Sequence, residues 1–510
     1  MNMCKTLAVC GVAIALAGCG GGGSDSAITV PLNTGPAFTS SAAVSVQENS
    51  VGVFYTAAAT DPDGDAVTVS ISGGEDAALI RLDATTGGVS FSVDLDFENP
   101  SDSNQDNVYE VTLQARDSSG ATATLNLDIT VTDQTVQITS RRVGTGLSQP
   151  LGLLASPDGS GRVLVVQKGG RIRLLSPDTG ALDSVDFLDV SADVSTDGER
   201  GLLGLAMSPD FANDRGVYVH MTNVSGDSEI RRYEVFASTP DQVDPSTETL
   251  ILRYPQPLSN HNAGWIGFNA DGLLIIPTGD GGGSGDPNNL AQNPQSLLGK
   301  VLRLDVSRDD FPSDPLRNYA IPTGNTFNDP ANGRPEIYAM GLRNPFQSSF
   351  DPISGDVLLA DVGQDAIEEV SRLPMDDSTL NFGWAVREGT AFFKGADQAE
   401  FTPPVLEYGH GDGPRQGRSI TGGLVYQGPV EALQNHYVFA DFISDNIWAV
   451  PVSIMQSGQT VSASAFSIET DNLVPDVGTL TRITAFGTDE AGNLYIVTIG
   501  GDIFQMVQAP

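Results

Sequence analysis

Six times between residues 156 and 497 the chain repeats one arrangement: a turn rich in Asp, Asn and Gly, then a short apolar strand. Ser156-Pro157-Asp158-Gly159 precedes residues 163–166, Ser208-Pro209-Asp210 precedes 216–219, and Asn269-Ala270-Asp271-Gly272 precedes 273–276. Asp351-Pro352-Ile353-Ser354-Gly355 precedes 357–360, Leu433-Gln434-Asn435 precedes 437–440, and Asp489-Glu490-Ala491-Gly492 precedes 494–497. Turn residues of this kind stop a strand and reverse it, while the Leu, Val, Ile and Tyr runs suit a buried sheet. Copies spaced by about fifty to eighty residues predict a six-bladed β-propeller with inserted loops. A large sandwich or a β-helix is the alternative, and the turn–strand repeats fit a propeller better.

The propeller is expected to fill residues 137–510. Residues 36–136 carry a different pattern, short strands of alternating Val, Thr, Ser and Leu such as Val108-Tyr109-Glu110-Val111-Thr112-Leu113. Alternation with frequent turns predicts an antiparallel β-sandwich. The fold class is therefore all-β, a sandwich followed by a propeller.

The first 35 residues read as a leader and a tether. Lys5 precedes an apolar run from residue 7 to 16 that ends in Leu16-Ala17-Gly18-Cys19. This resembles a bacterial lipoprotein signal and implies cleavage after residue 18, acylation of Cys19 and a lipid anchor. The apolar run is too short to span a bilayer. Residues 19–35, with Gly20-Gly21-Gly22-Gly23-Ser24, would form a flexible tether. Gly20 behind the cysteine implies the outer membrane. Cys4 and Cys10 fall inside the leader, so the mature chain would have no disulfide. A formal net charge of −38 argues against nucleic acid as a partner.

In the sandwich segment the acidic residues gather in turns and at strand ends, as in Gln47-Glu48-Asn49, Asp61-Pro62-Asp63-Gly64-Asp65, Leu95-Asp96-Phe97-Glu98 and Ala115-Arg116-Asp117. These motifs resemble a cadherin repeat, an Ig-like sandwich. The resemblance implies calcium held by Glu48, Asp96, Glu98 and Asp117, oxygen ligands of the kind calcium takes. The closing Asp-x-Asn-Asp-Asn of that family is absent, and Thr132-Asp133-Gln134-Thr135 stands in its place.

In the propeller segment, Gly198-Glu199-Arg200-Gly201-Leu202-Leu203-Gly204-Leu205 opens a series of motifs. Ser259-Asn260-His261-Asn262-Ala263-Gly264, Gly279-Asp280-Gly281-Gly282-Gly283, Leu297-Leu298-Gly299-Lys300 and Gly341-Leu342-Arg343-Asn344-Pro345 follow. Asp361-Val362-Gly363-Gln364, Asn381-Phe382-Gly383-Trp384 and Thr421-Gly422-Gly423 complete it. In order, they resemble the soluble quinoprotein sugar dehydrogenases of the glucose/sorbosone dehydrogenase superfamily. The resemblance implies pyrroloquinoline quinone (PQQ) and calcium as cofactors. It also implies oxidation of a sugar at its anomeric hydroxyl to the lactone, and a quinone or cytochrome as electron acceptor.

Residue by residue, the resemblance makes His261 the base and Asp280 the carboxylate beside it, with Arg343 at the quinone oxygens. Asn344, Arg482 and Glu199 would contact the cofactor, and the backbone carbonyls of Gly363 and Gln364 would hold calcium. A neutral imidazole beside a carboxylate suits proton removal near neutral pH. The chain departs from the family in carrying Glu199 where Gln is common, Ile443 where some members have a Lys, and Ala263 in place of a Gly. The Glu-Arg-Gly-Leu-Leu form also occurs in hedgehog-interacting-protein-like propellers. That leaves a rival reading, a non-catalytic surface propeller binding carbohydrate or protein. Of the other histidines, His220 is expected in a packed strand, His436 in a solvated turn and His410 in a surface loop.

Overall fold

The computed structural model describes residues 33–48, 50, 52–93, 95, 97, 100–132, 138–396 and 400–509. The leader, Cys19, most of the tether, Asp96, Glu98 and Asp133 lie outside the described residues. Among the described residues nearly all regular structure is strand, the one α-helix being the single turn Phe211–Asp214. Contacts divide the chain into two compact units, Met1–Thr135 and Val136–Pro510.

The first unit is a two-sheet sandwich. One sheet orders Ala43–Gln47, Thr122–Thr132, Val108–Arg116 and Thr68–Gly73, its first pair parallel and the others antiparallel. The other orders Tyr55–Thr56, Gly88–Phe91 and Ile80–Leu82. The alternation read in the sequence is the reason. Tyr109, Val111, Leu113 and Ala115 point inward from one strand and are at most 2% exposed, while Glu110, Thr112 and Gln114 between them are only half-buried. Each such aliphatic or aromatic side chain contributes roughly 1.5–3 kcal/mol when buried.

The second unit is a six-bladed propeller. Counting strands outward from the axis, blade 1 has Pro150–Ala155, Val163–Gln167, Arg171–Ser176 and Ala181–Leu182. Blade 2 has Leu202–Met207, Gly216–Thr222, Ser228–Val235 and Val243–Tyr254, and blade 3 Gly267–Phe268, Leu274–Pro277, Lys300–Leu304 and Ile337–Met340. Blade 4 has Pro345–Phe350, Val357–Asp361, Ile367–Leu373 and Leu406–Gly409, extended by Val461–Ser462. Blade 5 has Ile420–Val425, His436–Asp441, Ile447–Pro451 and Ser467–Ile468. Blade 6 takes Ile483–Thr488, Leu494–Thr498 and Ile503–Gln508 from the C-terminal end and its outermost strand, Ile138–Gly144, from the start of the unit. That pairing closes the ring and leaves the last blade without a missing strand.

Each of the six apolar runs in the sequence is the second strand of a blade, and its turn is the hairpin joining first strand to second. Those strands are buried almost throughout because sheets pack on both of their faces. Near the axis, Gln347 of blade 4 donates to the Leu151 carbonyl of blade 1 at 2.9 Å. Residues from the trailing ends of the inner strands, among them Leu154, Met207, Phe350 and Phe486, line a cavity of about 530 Å³.

Candidate functional site

Antiparallel topology decides which loops meet. The leading end of each first strand and the trailing end of each second strand lie on the same side of a blade. Glu199, His261, Arg343-Asn344 and Arg482 lead into first strands of blades 2, 3, 4 and 6. Asp280 follows the second strand of blade 3, and Gly363-Gln364 that of blade 4. All these positions therefore share one end of the propeller, opposite the six repeated turns.

The loop carrying His261 is built before its side chain is placed. Gln256, 5% exposed, donates to the carbonyls of Leu258, Asn260 and His261 at 3.3, 3.1 and 3.3 Å. His261 (φ 55°) and Ala263 (φ 53°) both adopt the left-handed conformation that L residues avoid. The backbone passes so close to blade 3 that a Cβ on Gly279 would lie 1.9 Å from the His261 carbonyl oxygen.

His261 Nδ1 lies 2.7 Å from Asp280 Oδ1. The same oxygen accepts the Gly282 N–H at 2.8 Å, and the other, Oδ2, accepts the Trp384 indole N–H at 2.8 Å. The sharp turn behind Asp280 needs glycine, since Gly281, Gly282 and Gly283 have φ of 91°, 97° and 88°. His261 and Asp280 are 4% and 1% exposed, so the pair is held in a place nearly closed to bulk water.

Glu199 accepts the His261 backbone N–H at 2.7 Å and the Asn344 side-chain amide at 3.2 Å, both on Oε2. Both partners are donors, so a glutamine oxygen would take the same two bonds, and the departure at this position preserves the local geometry. Asn344 in turn accepts the Ala263 N–H at 3.0 Å. Asp361 receives the backbone N–H groups of Arg343 and Asn344 at 2.8 and 2.5 Å. The Arg343 guanidinium donates to the Val362 carbonyl at 2.8 Å and to Gln364 Oε1 at 3.3 Å, and lies 5.5 Å from the Trp384 ring centroid. Its Nε, and Asn262 Nδ2 beside His261, are buried donors that no group among the described residues accepts.

Carboxylates organise the loop that carries Gly363 and Gln364. Glu388 Oε1 accepts four successive backbone N–H groups, from Gln364, Asp365, Ala366 and Ile367, at 2.8, 2.7, 2.9 and 3.2 Å. Burial alone would raise the Glu388 pKa, but those amides outweigh it and hold the group below its usual range. Glu368 binds the Gly363 and Ile420 N–H groups on one oxygen and His410 Nε2 on the other, at 2.7 Å. His410 is thus half-buried and paired rather than a surface-loop residue, and the Glu368 hydrogen bond raises its pKa. Burial pushes Asp361 up to about 7 and Glu369 well above the carboxylate range, each carboxylate also disfavouring charge on its neighbours.

Arg482 (φ 52°) is exposed at the same end, its guanidinium 5.4 Å from the Phe442 ring centroid, and makes none of the bonds that knit His261, Asp280, Glu199, Arg343 and Asn344 together. In the first unit, Glu48 accepts the Phe97 N–H at 2.9 Å, and Asp117 accepts Asn33 Nδ2 and the Ala121 N–H at 2.9 and 2.8 Å. Among the described residues no three His, Cys, Asp or Glu side chains are arranged to hold a metal. His220 is fully buried between the Gly264 carbonyl and the Tyr254 hydroxyl, and His436 opens a strand of blade 5. Trp384 and Asp361 lie in motifs visible in the sequence, although their bonds are not. Glu388 lies in no motif and had no signal.

A propeller with this site belongs to a known class. The profile of the glucose/sorbosone dehydrogenase family matches residues 147–503, and the chain is a member of that family. Over 462 residues it is 30% identical to the HIPL1 protein of Arabidopsis thaliana, covering 76% of this chain and 66% of that one. Over 241 residues it is 26% identical to the aldose sugar dehydrogenase YliI of Escherichia coli, covering 47% of this chain and 59% of the relative. The chain thus spans a little under two thirds of the length of the plant relative. The PQQ-bound aldose sugar dehydrogenase of Streptomyces coelicolor shares the fold, with a TM-score of 0.56 and 24% identity over 73% of this chain and 98% of that one.

Proposed function

We propose that the propeller is a PQQ-dependent dehydrogenase that oxidises an aldose at the anomeric carbon to its lactone. The carrying observation is the His261–Asp280–Trp384 array. Asp280 as a carboxylate can only accept, so Nδ1 of a neutral His261 bears the ring proton and Nε2 keeps its lone pair. Trp384 on the far oxygen fixes the carboxylate plane, and with it the imidazole. Nε2 is then the base for the anomeric O–H proton as the C–H pair leaves as hydride. Burial excludes water that would compete for either.

The residues present fit the cofactor. Two buried N–H donors beside the base, Arg343 Nε and Asn262 Nδ2, lack an acceptor among the described residues, which suits an anionic, oxygen-rich molecule. Arg343, Asn344 and Arg482 would hold it, and the Gly363 and Gln364 carbonyls would hold its calcium. PQQ, when bound, supplies the two-electron acceptor for the hydride. Electrons would pass on to a quinone or cytochrome, and an acylated Cys19 would keep the protein at the outer membrane. The family membership and the aldose sugar dehydrogenase among the relatives support this reading.

The rival, a binding propeller, draws on the likeness to the hedgehog-interacting protein of Homo sapiens, 31% identical over 317 residues. Purified full-length protein with PQQ and calcium, assayed against an aldose panel with an artificial electron acceptor, separates the two. Dye reduction should fall at least about 100-fold in His261→Ala, the usual scale for a lost general base. No turnover on any aldose, and no change in the PQQ spectrum on mixing, would favour the binding propeller.

A further inference from the structure

Glu388 grips the loop of residues 364–367 wholly through backbone. A trans peptide keeps its N–H and C=O antiparallel in one plane. The Gln364 N–H shares a peptide with the Gly363 carbonyl, and the Asp365 N–H shares one with the Gln364 carbonyl. Both N–H groups point at Glu388 Oε1, at 2.8 and 2.7 Å, and neither peptide is cis. The Gly363 and Gln364 carbonyl oxygens are therefore both aimed away from Glu388. Among the described residues neither accepts a hydrogen bond, whereas the Ala366 carbonyl further along takes the His410 N–H at 2.8 Å.

The clamp has two physical consequences. Fixing two neighbouring carbonyls in related directions prepares half of a hard-cation site, since calcium is bound by oxygens in a defined shell. A negative charge at the N–H end of each peptide also polarises it and enriches the oxygen end. Other bonds hold the loop in place without aiming these oxygens. Gly363 N–H goes to Glu368 at 3.1 Å, and Gln364 Oε1 takes the Gly285 N–H at 2.9 Å. Gly363 is required by space, because a Cβ there would meet the Ile367 carbonyl oxygen at 1.8 Å.

We propose that Glu388 is a positioning residue that aims the Gly363 and Gln364 carbonyls at the calcium ion. This rests on the PQQ–calcium reading above. The test is titration of calcium into the full chain with stoichiometric PQQ, following the PQQ absorption spectrum, so that calcium bound elsewhere is not counted. Half-saturating calcium should rise about 10- to 100-fold in Glu388→Ala, the scale for losing an outer-shell partner of a metal ligand. Hydrogen exchange at 364–367 should quicken in the same variant, with exchange in the other blades unchanged.

Glu388→Gln retains an accepting oxygen without the charge and should shift the midpoint by less. It decides the matter if the alanine variant does not fold, and a wild-type midpoint in it would then overturn the assignment. His220→Gln, away from the cofactor and from Glu388, leaves the clamp intact and should titrate as wild type. A shift there equal to that of Glu388→Ala would show general loosening and overturn the assignment. So would a wild-type midpoint in a folded Glu388→Ala. A wild-type spectrum that never responds to calcium would overturn the PQQ–calcium reading itself, and the role of Glu388 with it.

Discussion

At the scale of single residues, chemistry depends on which hydrogen-bond partner each polar atom meets. Trp384 touches no reacting atom in the proposed reaction, yet it takes one of the two Asp280 oxygens. Trp384→Phe keeps an aromatic ring facing Phe393 and removes the N–H together with part of the indole's bulk. A bond to a charged group is worth about 1.5–3 kcal/mol, so kcat should fall roughly tenfold or more with KM little changed. Steady-state kinetics with any accepted aldose reads this directly. His220 offers a pH test away from the site. Burial lowers its pKa to about 4, the Gly264 carbonyl opposing in part, whereas the unfolded residue titrates near 6.5. Between those values the unfolded chain binds more protons, so this residue's contribution to stability falls as pH drops from about 6.5 to 4. The loss is on the order of 3 kcal/mol. The stability difference between wild type and His220→Gln, followed by denaturant unfolding, should shrink across that window.

At the scale of elements, the site depends on loops that approach one another more closely than a side chain permits. Gly279→Ala would place a methyl against the His261 carbonyl, inside contact distance, and at that point the His261 loop must move. The expected result is a folded protein, by circular dichroism, that has lost most of its turnover, since misplacement by about 1 Å costs on the order of 100-fold. The six turn–strand copies were legible because each is a hairpin leading into a strand buried on both faces. The outer strands were harder to read. Val243–Tyr254, with its mixed buried and exposed positions, carries Asp, Ser, Thr and Glu that also suit a loop. His410 departs from its expected surface loop for the same kind of reason. Its polar, glycine-rich neighbours suggest a surface loop, and only the pairing of Ile367–Leu373 with Leu406–Gly409 within blade 4 brings Glu368 to it.

At the scale of the whole molecule, the propeller is closed by a strand from its other end. Ile138–Gly144 pairs with Ile503–Gln508 and buries Ile138, Ser140 and Val143. A chain beginning at residue 145 would leave blade 6 with three strands and lose two buried aliphatic side chains, Ile138 and Val143, each worth roughly 1.5–3 kcal/mol. Compared with a chain beginning at residue 136, it should melt at a markedly lower temperature or fail to fold. Closure matters for function because the site is assembled from blades 2, 3 and 4, whose spacing is set only in a complete ring.

The sequence alone determined the all-β class, the sixfold repeat and the family, because period, turn chemistry and motif order are local or serial properties of the chain. It also named His261, Asp280, Glu199, Arg343 and Asn344, which the structure knits into one hydrogen-bonded group. Tertiary structure alone decided how those residues are held. That Glu199 binds two N–H donors, that Trp384 orients Asp280 and that Glu388 turns a backbone loop all depend on groups from different loops and blades meeting within about 3 Å. Contacts between residues far apart in sequence leave no period or spacing to read. They exist only once the ring is closed.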